Sequence, residues 1–156
     1  MIGDQFSWFF EPSPATTEEI AAVEAATGHR LPDDYRAFAQ RFAGGWPNEG
    51  GFSFSDQKIS TFHACVGVFL NLKATDEYSI LRVLESTEAF PHALIPVAED
   101  GGGNHVCLDY RQSPDPTISF WHHGRRGFTD EVSHICETFT AFVDMLHEPM
   151  DDALED

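Results

Sequence analysis

Three short apolar segments in the second half of the chain, LIPVA, HVCLDY and TISFWHH, are separated by stretches rich in turn residues. Each has the length and the content of branched and aromatic residues that are typical of a strand. Strands joined by short turns pair antiparallel, because a parallel pair needs a much longer crossover connection. The sequence therefore predicts an antiparallel meander over this part of the chain.

A helix precedes these strands, and a capping pair marks its start. Thr16 is placed to accept a hydrogen bond from the backbone of Glu19, and the Glu19 side chain can reach back to the backbone of Thr16. Gly28 can take the left-handed conformation that ends a helix. Apolar residues recur at helical spacing on one face, at Ile20, Val23 and Ala26.

A second helix is predicted directly afterwards, from the sequence LPDDY. Pro32 suits the first helical turn because its missing N–H would be unpaired there, and Asp33 and Asp34 complement the positive end of the helix dipole. Gly44 and Gly45 are expected to end it. The apolar stripe consists of Tyr35, Phe38 and Phe42. Together the two segments predict a pair of short helices joined by a tight turn.

Further strands and helices complete the pattern. GFSF and CVGVFLNL are predicted as short strands. Between Thr75 and Phe90 a helix is favoured, with a strand over residues 79–84 as the alternative; the helical spacing is that of Tyr78, Leu81 and Leu84. TFTAFVDML predicts a closing helix, with Thr138 as its cap and an apolar face of Phe139, Phe142 and Leu146. This order predicts an α+β fold, a mainly antiparallel sheet flanked by helices.

The chain has the size and composition of one globular domain. Its 156 residues include 14 phenylalanines, and no repeat or linker divides it. We expect a phenylalanine-rich core and a single domain over residues 1–156, with its core at about 16–147. The last residues, 148–156, predict a solvated acidic tail.

Two features predict a cytoplasmic protein. No apolar run approaches the roughly 20 residues of a membrane helix, and the start MIGDQFSWFF lacks the basic region of a signal peptide. The cysteines, Cys65, Cys107 and Cys136, are odd in number and form no CxxC pair, which indicates reduced thiols.

Charge is the strongest compositional signal. The chain has 26 acidic residues against 9 lysines and arginines, a formal net charge of −17. Such a surface repels nucleic acid and anionic lipid, so we expect neither a nucleic acid nor a membrane as a partner. The charge serves either solubility alone or a docking face for a basic protein, where complementary charge speeds association.

The segment EDGGGN between LIPVA and HVCLDY is best interpreted as a turn. A phosphate-binding loop needs a lysine and a hydroxyl residue after its glycines, but Asn104 and His105 follow here, and Glu99 and Asp100 would repel a phosphate. A calcium loop starting at Asp100 would need a ligand where Gly102 stands. We expect glycines at positive φ between two strands.

A transition-metal site is an alternative. A strand places His105, Cys107 and Asp109 on one face, and His122 and His123 follow on a neighbouring strand. Yet 8 histidines produce chance proximities, and the helical HExxH spacing is absent. A nucleophilic pair of Cys107 and His122 lacks a third member and an oxyanion hole. We therefore predict no metal, no cofactor and no enzymatic activity, and keep a metal-dependent enzyme as the third hypothesis.

Four segments in this order resemble the SUKH superfamily, the bacterial immunity proteins related to the yeast cell-wall assembly regulator. They are TTEEIAAVEAATGHRLPDDYRAFAQRFAGG, LIPVAEDGGGNHVCLDY, ISFWHH and TFTAFVDML. The resemblance runs from about Thr16 to Leu146 and leaves out the N-terminal FSWFFEPSP and the acidic tail. It implies an α+β domain that binds a protein and is not an enzyme.

The resemblance implies a function as well as a fold. Many bacterial members neutralise a secreted polymorphic toxin, often a nuclease, so a cognate toxin with a basic nuclease domain is the expected partner. The alternative is an intracellular regulatory or scaffold domain of the cell-wall-regulator type. The expected partner-binding residues are Glu99, Asp100, Asn104, Asp109, Trp121 and His122. For Asn104 and Asp109 the other interpretation is a local turn hydrogen bond, and for Trp121 it is core packing.

Overall fold

A computed structural model describes residues 1–88 and 90–149, which form one α+β domain. The strands within these residues are β1 (Trp8–Phe10), β2 (Trp46–Pro47), β3 (Gly51–Ser55), β4 (Thr61–Cys65), β5 (Val68–Phe69), β6 (Leu94–Glu99), β7 (His105–Asp109), β8 (Thr117–Trp121) and β9 (Val132–Cys136). The helices are α1 (Thr17–Thr27), α2 (Asp33–Phe42), α3 (Ile80–Ser86) and α4 (Phe139–Met145), with a 3₁₀ turn at His123–Arg125. Of the predicted acidic tail, all but Glu148 and Pro149 lies outside the described residues.

An antiparallel sheet of five strands, in the order β5-β6-β7-β8-β9, is the centre of the fold. The predicted meander is confirmed, since β6 pairs with β7 and β7 with β8, both antiparallel. β3 and β4 form a separate antiparallel ribbon whose β3 contacts β9, and β1 and β2 form another. The prediction of a mainly antiparallel α+β fold is therefore confirmed.

The two faces of the five-stranded sheet carry two different clusters. One face supplies the alternate residues of β7 and β8 to a large core that is rich in phenylalanine, as predicted. Phe38 of α2 lies in this core, with ring centroids 4.8 Å from Phe69 and 5.1 Å from Phe139. Each buried phenylalanine contributes about 1.5–3 kcal/mol of hydrophobic stabilisation. The opposite face carries a small cluster of Leu94, Cys107 and Trp121.

The capping pair of α1 is present as predicted. The Thr16 hydroxyl accepts from the Glu19 backbone N–H at 3.1 Å, and the Glu19 carboxylate accepts from the Thr16 backbone N–H at 3.0 Å. Gly28 ends the helix at φ 75°. Ile20 and Val23 are buried, but Ala26 is exposed, so the predicted apolar face is one turn shorter than its spacing suggested.

The helices α2 and α4 match their predictions and are joined by a carboxylate. Asp34, in the first turn of α2, accepts from both the backbone N–H and the hydroxyl of Thr140, each at 2.9 Å. The Thr138 hydroxyl accepts from the backbone N–H of Ala141, which confirms the predicted cap of α4. Asp34 thus serves tertiary packing as well as the helix dipole.

Two predicted elements are shorter than expected. The helix over residues 75–90 is confirmed in type but begins at Ile80, because the Ser79 hydroxyl caps it by accepting from the Arg82 backbone N–H. Tyr78 precedes the helix and is 37% exposed, so it is not part of its apolar face. The predicted strand CVGVFLNL keeps only Val68–Phe69, since its first residue, Cys65, ends β4.

Sequence patterns did not predict β1, β2, β4 or β9. Thr61–Cys65 and Val132–Cys136 show little alternation of buried and exposed residues and are strands because of the partners beside them. β1 lies on β2 because Gly45 has no side chain, since a Cβ there would collide with the ring of Trp8.

None of the described helices is long and apolar enough to cross a membrane.

The capping pair of α1 generates a stability prediction. Replacing Thr16→Ala removes the acceptor for the Glu19 N–H, so we expect the free energy of unfolding to fall by about 1 kcal/mol. Urea denaturation of both proteins measures it. Thr17→Ala, one residue along in the first helical position, is the matched control and should change the value by less than about 0.5 kcal/mol. Equal losses in the two variants would contradict the capping role.

Candidate partner-binding surface

The loop between β6 and β7 is built around the carboxylate of Asp100. This carboxylate accepts from the backbone N–H of Gly102 at 2.8 Å and of Asn104 at 3.1 Å, and from the Asn104 side chain at 2.8 Å. Gly101 and Gly103 take φ 86° and 93°, as expected for this turn. Asp100 therefore holds the shape of the loop, and its charge is shared among three donors.

Asn104 ties the same loop to the next connection along the sheet. Its side-chain oxygen accepts from the backbone N–H of His123 at 3.0 Å. Asn104 thus makes the local hydrogen bond expected for it, to Asp100, and a second one to a residue outside the turn, His123. The two loops at this end of β7 and β8 form one connected rim.

A cleft of about 450 Å³ opens beside this rim, between α3 and the ends of β6, β7 and β8. Three glutamates line it, Glu77, Glu88 and Glu99, against one arginine, Arg126. Arg126 donates to the backbone oxygen of Glu88 at 3.1 Å. We call this feature the acidic cleft.

His105 lies in the wall of the acidic cleft without a hydrogen bond to either ring nitrogen within the described part of the chain. Its side chain is only 6% exposed. An oxygen of the Glu99 carboxylate lies 3.5 Å from its Nε2. A buried polar group without a partner costs about 1–3 kcal/mol, so this histidine is an exception that calls for an explanation.

An exposed row of aromatic side chains adjoins the acidic cleft. Phe9 and Phe10 of β1 are 69% and 53% exposed. The Phe10 ring lies 5.2 Å from Trp46 and the Trp46 ring 5.6 Å from Tyr78, each edge to face. Tyr78 also lines the acidic cleft. We call Phe9, Phe10, Trp46 and Tyr78 the aromatic row; Trp46 is half-buried and the other three are exposed. Clustered exposed apolar side chains of this kind mark interaction sites.

The predicted site residues do not all come together. Glu99, Asp100 and Asn104 lie at one end of β7, and Trp121 lies beside them because it pairs with His105. Trp121 is 1% exposed and belongs to the small cluster, and its indole N–H donates to Glu131 at 2.7 Å. The structure therefore supports the alternative role of Trp121, which is core packing.

Asp109 lies at the other end of β7, where it makes a local network. It accepts from the backbone and the guanidinium of Arg111, at 3.0 Å and 2.8 Å, and from the Ser119 hydroxyl at 2.8 Å. These hydrogen bonds outweigh the burial of the group and hold its pKa below the usual range. Asp109 is 7% exposed, so the loop hydrogen bond is its evident role.

His122 lies on the opposite side of the sheet from His105 and Cys107. Its ring is 4.9 Å from Phe120 and 5.0 Å from Phe62, in the larger core. Successive strand residues point to opposite faces, which separates His122 from Trp121. The alternative of a metal site formed by His105, Cys107, Asp109, His122 and His123 needs His122 on the face that carries Cys107, and the structure places it on the other. Within residues 1–88 and 90–149 no group of three or more histidine, cysteine, aspartate or glutamate side chains is arranged to hold a metal ion.

A buried polar network surrounds His122. Its Nε2 lies 2.8 Å from the hydroxyl of Ser133, and that hydroxyl donates to Asp56 at 2.8 Å. Arg125 donates to both carboxylate oxygens of Asp56, at 2.9 Å and 3.2 Å. The Asp56 side chain has no exposed surface, and the guanidinium holds the pKa of its carboxyl far below the usual range.

The network contains a serine, a histidine and an aspartate, yet their order differs from that of a catalytic triad. In a catalytic triad the histidine stands between the other two and takes the serine proton. Here Ser133 stands between: its hydroxyl donates a hydrogen bond to Asp56 and, since its one proton is used there, accepts one from His122. The arrangement instead attaches the turn after β3, which carries Asp56, to β9 and the 3₁₀ turn.

The three cysteines are free thiols with raised pKa values. Burial raises the pKa of Cys107, which has no exposed surface, well above its usual range. Burial also raises the pKa of Cys136 to about 11. Thiols that stay protonated are poor nucleophiles, so the Cys107–His122 pair has neither the geometry nor the chemistry for catalysis.

Sequence reasoning missed the aromatic row. The run SWFF near the N-terminus was visible as a dense aromatic stretch, but apolar residues are usually buried, so no pattern in the sequence indicated their exposure. Tyr78 was assigned to a helix face for the same reason.

The buried ion pair generates a stability prediction. Arg125→Ala leaves the Asp56 carboxylate buried without its cation, so we expect the free energy of unfolding to fall by about 3 kcal/mol in urea denaturation. The adjacent Arg126→Ala is the matched control, because Arg126 is exposed, and should change it by less than about 0.5 kcal/mol. A loss no larger than that of the control would show that the network does not stabilise the fold.

His122 generates a pH prediction. Burial, and then the charge of Arg125, lowers its pKa in the folded protein. The unfolded chain then takes up a proton near pH 6.5 that the folded one does not, so this group's stabilisation is present above that pH and is lost as the pH falls. Urea denaturation at pH 7.5 and 5.5 should show that the stability deficit of His122→Gln is smaller at pH 5.5. A deficit that stays equal or grows would contradict it.

Sequence comparison with known proteins identifies the family of this chain. A SPbeta prophage-derived uncharacterized protein, YokK of Bacillus subtilis (strain 168), is 26% identical over 171 aligned positions, which cover 93% of this chain and 82% of that protein. The sequence profile of the SMI1 / KNR4 family (SUKH-1) matches residues 14–145, from just before α1 to the end of α4. Because this match spans most of the chain, the resemblance drawn from its motifs is confirmed, and the protein belongs to the SMI1 / KNR4 family (SUKH-1).

Proposed function

We propose that this protein is a bacterial immunity protein that binds and neutralises a cognate toxin, and that the toxin carries a basic nuclease domain. Family membership supports a role in binding a protein partner. The prophage origin of the B. subtilis relative fits a role in competition carried by mobile elements. The observation that carries the proposal is the exposed aromatic row beside the acidic cleft.

The aromatic row has the composition of a binding hot spot. Tyrosine and tryptophan dominate the energetics of protein interfaces because they bury a large area at a small cost in side-chain entropy. Hydrogen bonds hold the backbone beneath the row in place. Asn48, which follows β2, donates to the backbone oxygen and to the hydroxyl of Ser7, which precedes β1. A partner would therefore meet a surface that is already ordered.

The net charge of −17 supports a basic partner. A nuclease that grips phosphates is positively charged on its substrate-binding surface, and an acidic protein is attracted to that surface. The same charge opposes binding of nucleic acid by this protein itself.

The expected contacts centre on one end of the sheet. Glu99 supplies a carboxylate that is part-exposed, Asp100 and Asn104 hold the loop, and Trp121 supports the wall of the acidic cleft from beneath. Asp109 and His122 support the fold at other places, and we assign no partner contact to them.

The first test is capture of the tagged protein's partners from its native cells at low salt, with elution in a salt gradient. We expect a basic toxin domain, which mass spectrometry identifies, to elute as the salt rises, because exposed charge pairs are screened beyond about 8 Å at physiological ionic strength. Co-expression of this protein should then restore the growth of cells that produce the captured toxin. Capture of housekeeping proteins alone, from cells that express the toxin, would favour the regulatory or scaffold alternative.

A second measurement tests the surface. With the purified toxin, we expect Tyr78→Ala and Phe10→Ala each to raise the Kd about tenfold or more, as truncation of aromatic hot spots does. Ile59→Ala is the matched control, because Ile59 is also an exposed apolar residue, at 49%, but lies in the turn between β3 and β4. Isothermal titration calorimetry measures all three. Unchanged affinity in the two aromatic variants would place the interface elsewhere.

A further inference from the structure

We propose that the acidic cleft is a pocket for an arginine side chain of the partner, with the Glu99 carboxylate as its counter-ion. This inference deepens the proposed function and rests on it for the identity of the partner.

Glu99 is the carboxylate best placed to receive a cation. Its side chain is 23% exposed, and the described part of the chain gives it no lysine or arginine partner. The neighbouring Asp100 differs, because three donors of its own loop already occupy its oxygens. One of the two adjacent acids therefore shapes the loop, and the other, Glu99, has the His105 ring beside it but no lysine or arginine partner among the described residues.

The second and independent observation is His105. Its side chain is only 6% exposed, and neither ring nitrogen has a hydrogen-bond partner within the described residues. Nε2 lies 3.5 Å from Glu99, just beyond hydrogen-bonding distance, so a small movement of Glu99 gives His105 a partner. His105 thereby acts as a positioning residue, which aims the Glu99 carboxylate into the cleft.

The walls of the cleft suit a guanidinium. Tyr78 presents an exposed ring at the mouth, and a planar guanidinium stacks on such a ring more readily than an ammonium does. Glu77 and Glu88 add negative charge at the same opening, and Arg126 is the single arginine among the lining residues. The volume of about 450 Å³ leaves room for one long side chain.

Tyr78 also joins the pocket to the aromatic row. The partner's arginine would enter beside Tyr78 while apolar groups of the partner cover Trp46 and Phe10. Recognition would then consist of one charged anchor and one apolar patch on a continuous surface, as in interfaces where hot spots cluster.

The test uses N-acetyl-arginine methylamide as the probe, titrated into the isotope-labelled full chain and followed by two-dimensional NMR. We expect saturable shifts at Glu99, at Gly103 and at the indole N–H of Trp121. N-acetyl-citrulline methylamide, which has nearly the same shape and no charge, should cause shifts at least tenfold weaker. Equal binding of the two probes, or no saturable shift with arginine, would overturn the pocket.

Variants sharpen the test. Glu99→Gln should weaken arginine binding about tenfold, because a charge-assisted hydrogen bond is lost while the shape of the side chain is kept. Glu137→Gln is the matched control, since Glu137 is an exposed glutamate at the far end of the sheet, and should leave the affinity unchanged. Because His105 positions the Glu99 carboxylate and is not the counter-ion, His105→Phe should weaken arginine binding less than Glu99→Gln does. An unchanged affinity in Glu99→Gln would overturn the assignment of the counter-ion.

The titration needs no toxin, so it fails separately from the proposed function. Arginine binding in a protein that captures no toxin would leave the pocket standing and overturn the immunity role. A captured toxin, together with a cleft that binds no arginine, would overturn the pocket alone.

Discussion

The antiparallel pairing of β7 with β8 is the constraint on which the rest of the structure depends. Directly opposed residues share a face, so Val106 and Phe120 enter the large core together. The same register places His105 and Trp121 together on the opposite face. Burial of one face therefore determines what the other face presents, and a slip of one residue would exchange the two.

The tight loop after β6 places Glu99 and His105 side by side in the acidic cleft. Because Asp100 closes the turn with its own carboxylate, the strand ends at Glu99 and the next begins at His105, directly opposite each other. The acid and the histidine of the cleft thus come from a tight local connection, although the wall facing them belongs to α3. Strand ends held by a sheet in this way can position side chains for a partner without ordering a long loop first.

Polar groups on the two sides of the molecule have different roles. Asp56, Ser133 and Arg125 are bonded to one another and attach the β3–β4 ribbon to the sheet. On the other side, both ring nitrogens of the buried His105 lack a hydrogen-bond partner within the described residues, and the part-exposed Glu99 carboxylate lies 3.5 Å from one of them. Buried groups that are fully paired specify the fold, whereas incompletely paired groups beside a cleft indicate a place for a ligand. The family defines the fold here, and the function must be argued from these side chains.

Much of the architecture could be predicted from the sequence by itself. Local signals are strong where a residue type or a short run has one physical use: the cap of Thr16, the glycine at 28, the glycines of the β6–β7 turn and the short apolar runs of β7 and β8. These determined the helix pair, the meander and the α+β class. Only the tertiary structure decided that β4 and β9 are strands, that His122 lies on the far side of the sheet from Cys107, and that Phe9 and Phe10 face solvent. Each of these three features depends on contacts between residues far apart in the chain, and the periodicity of a single segment does not predict such contacts.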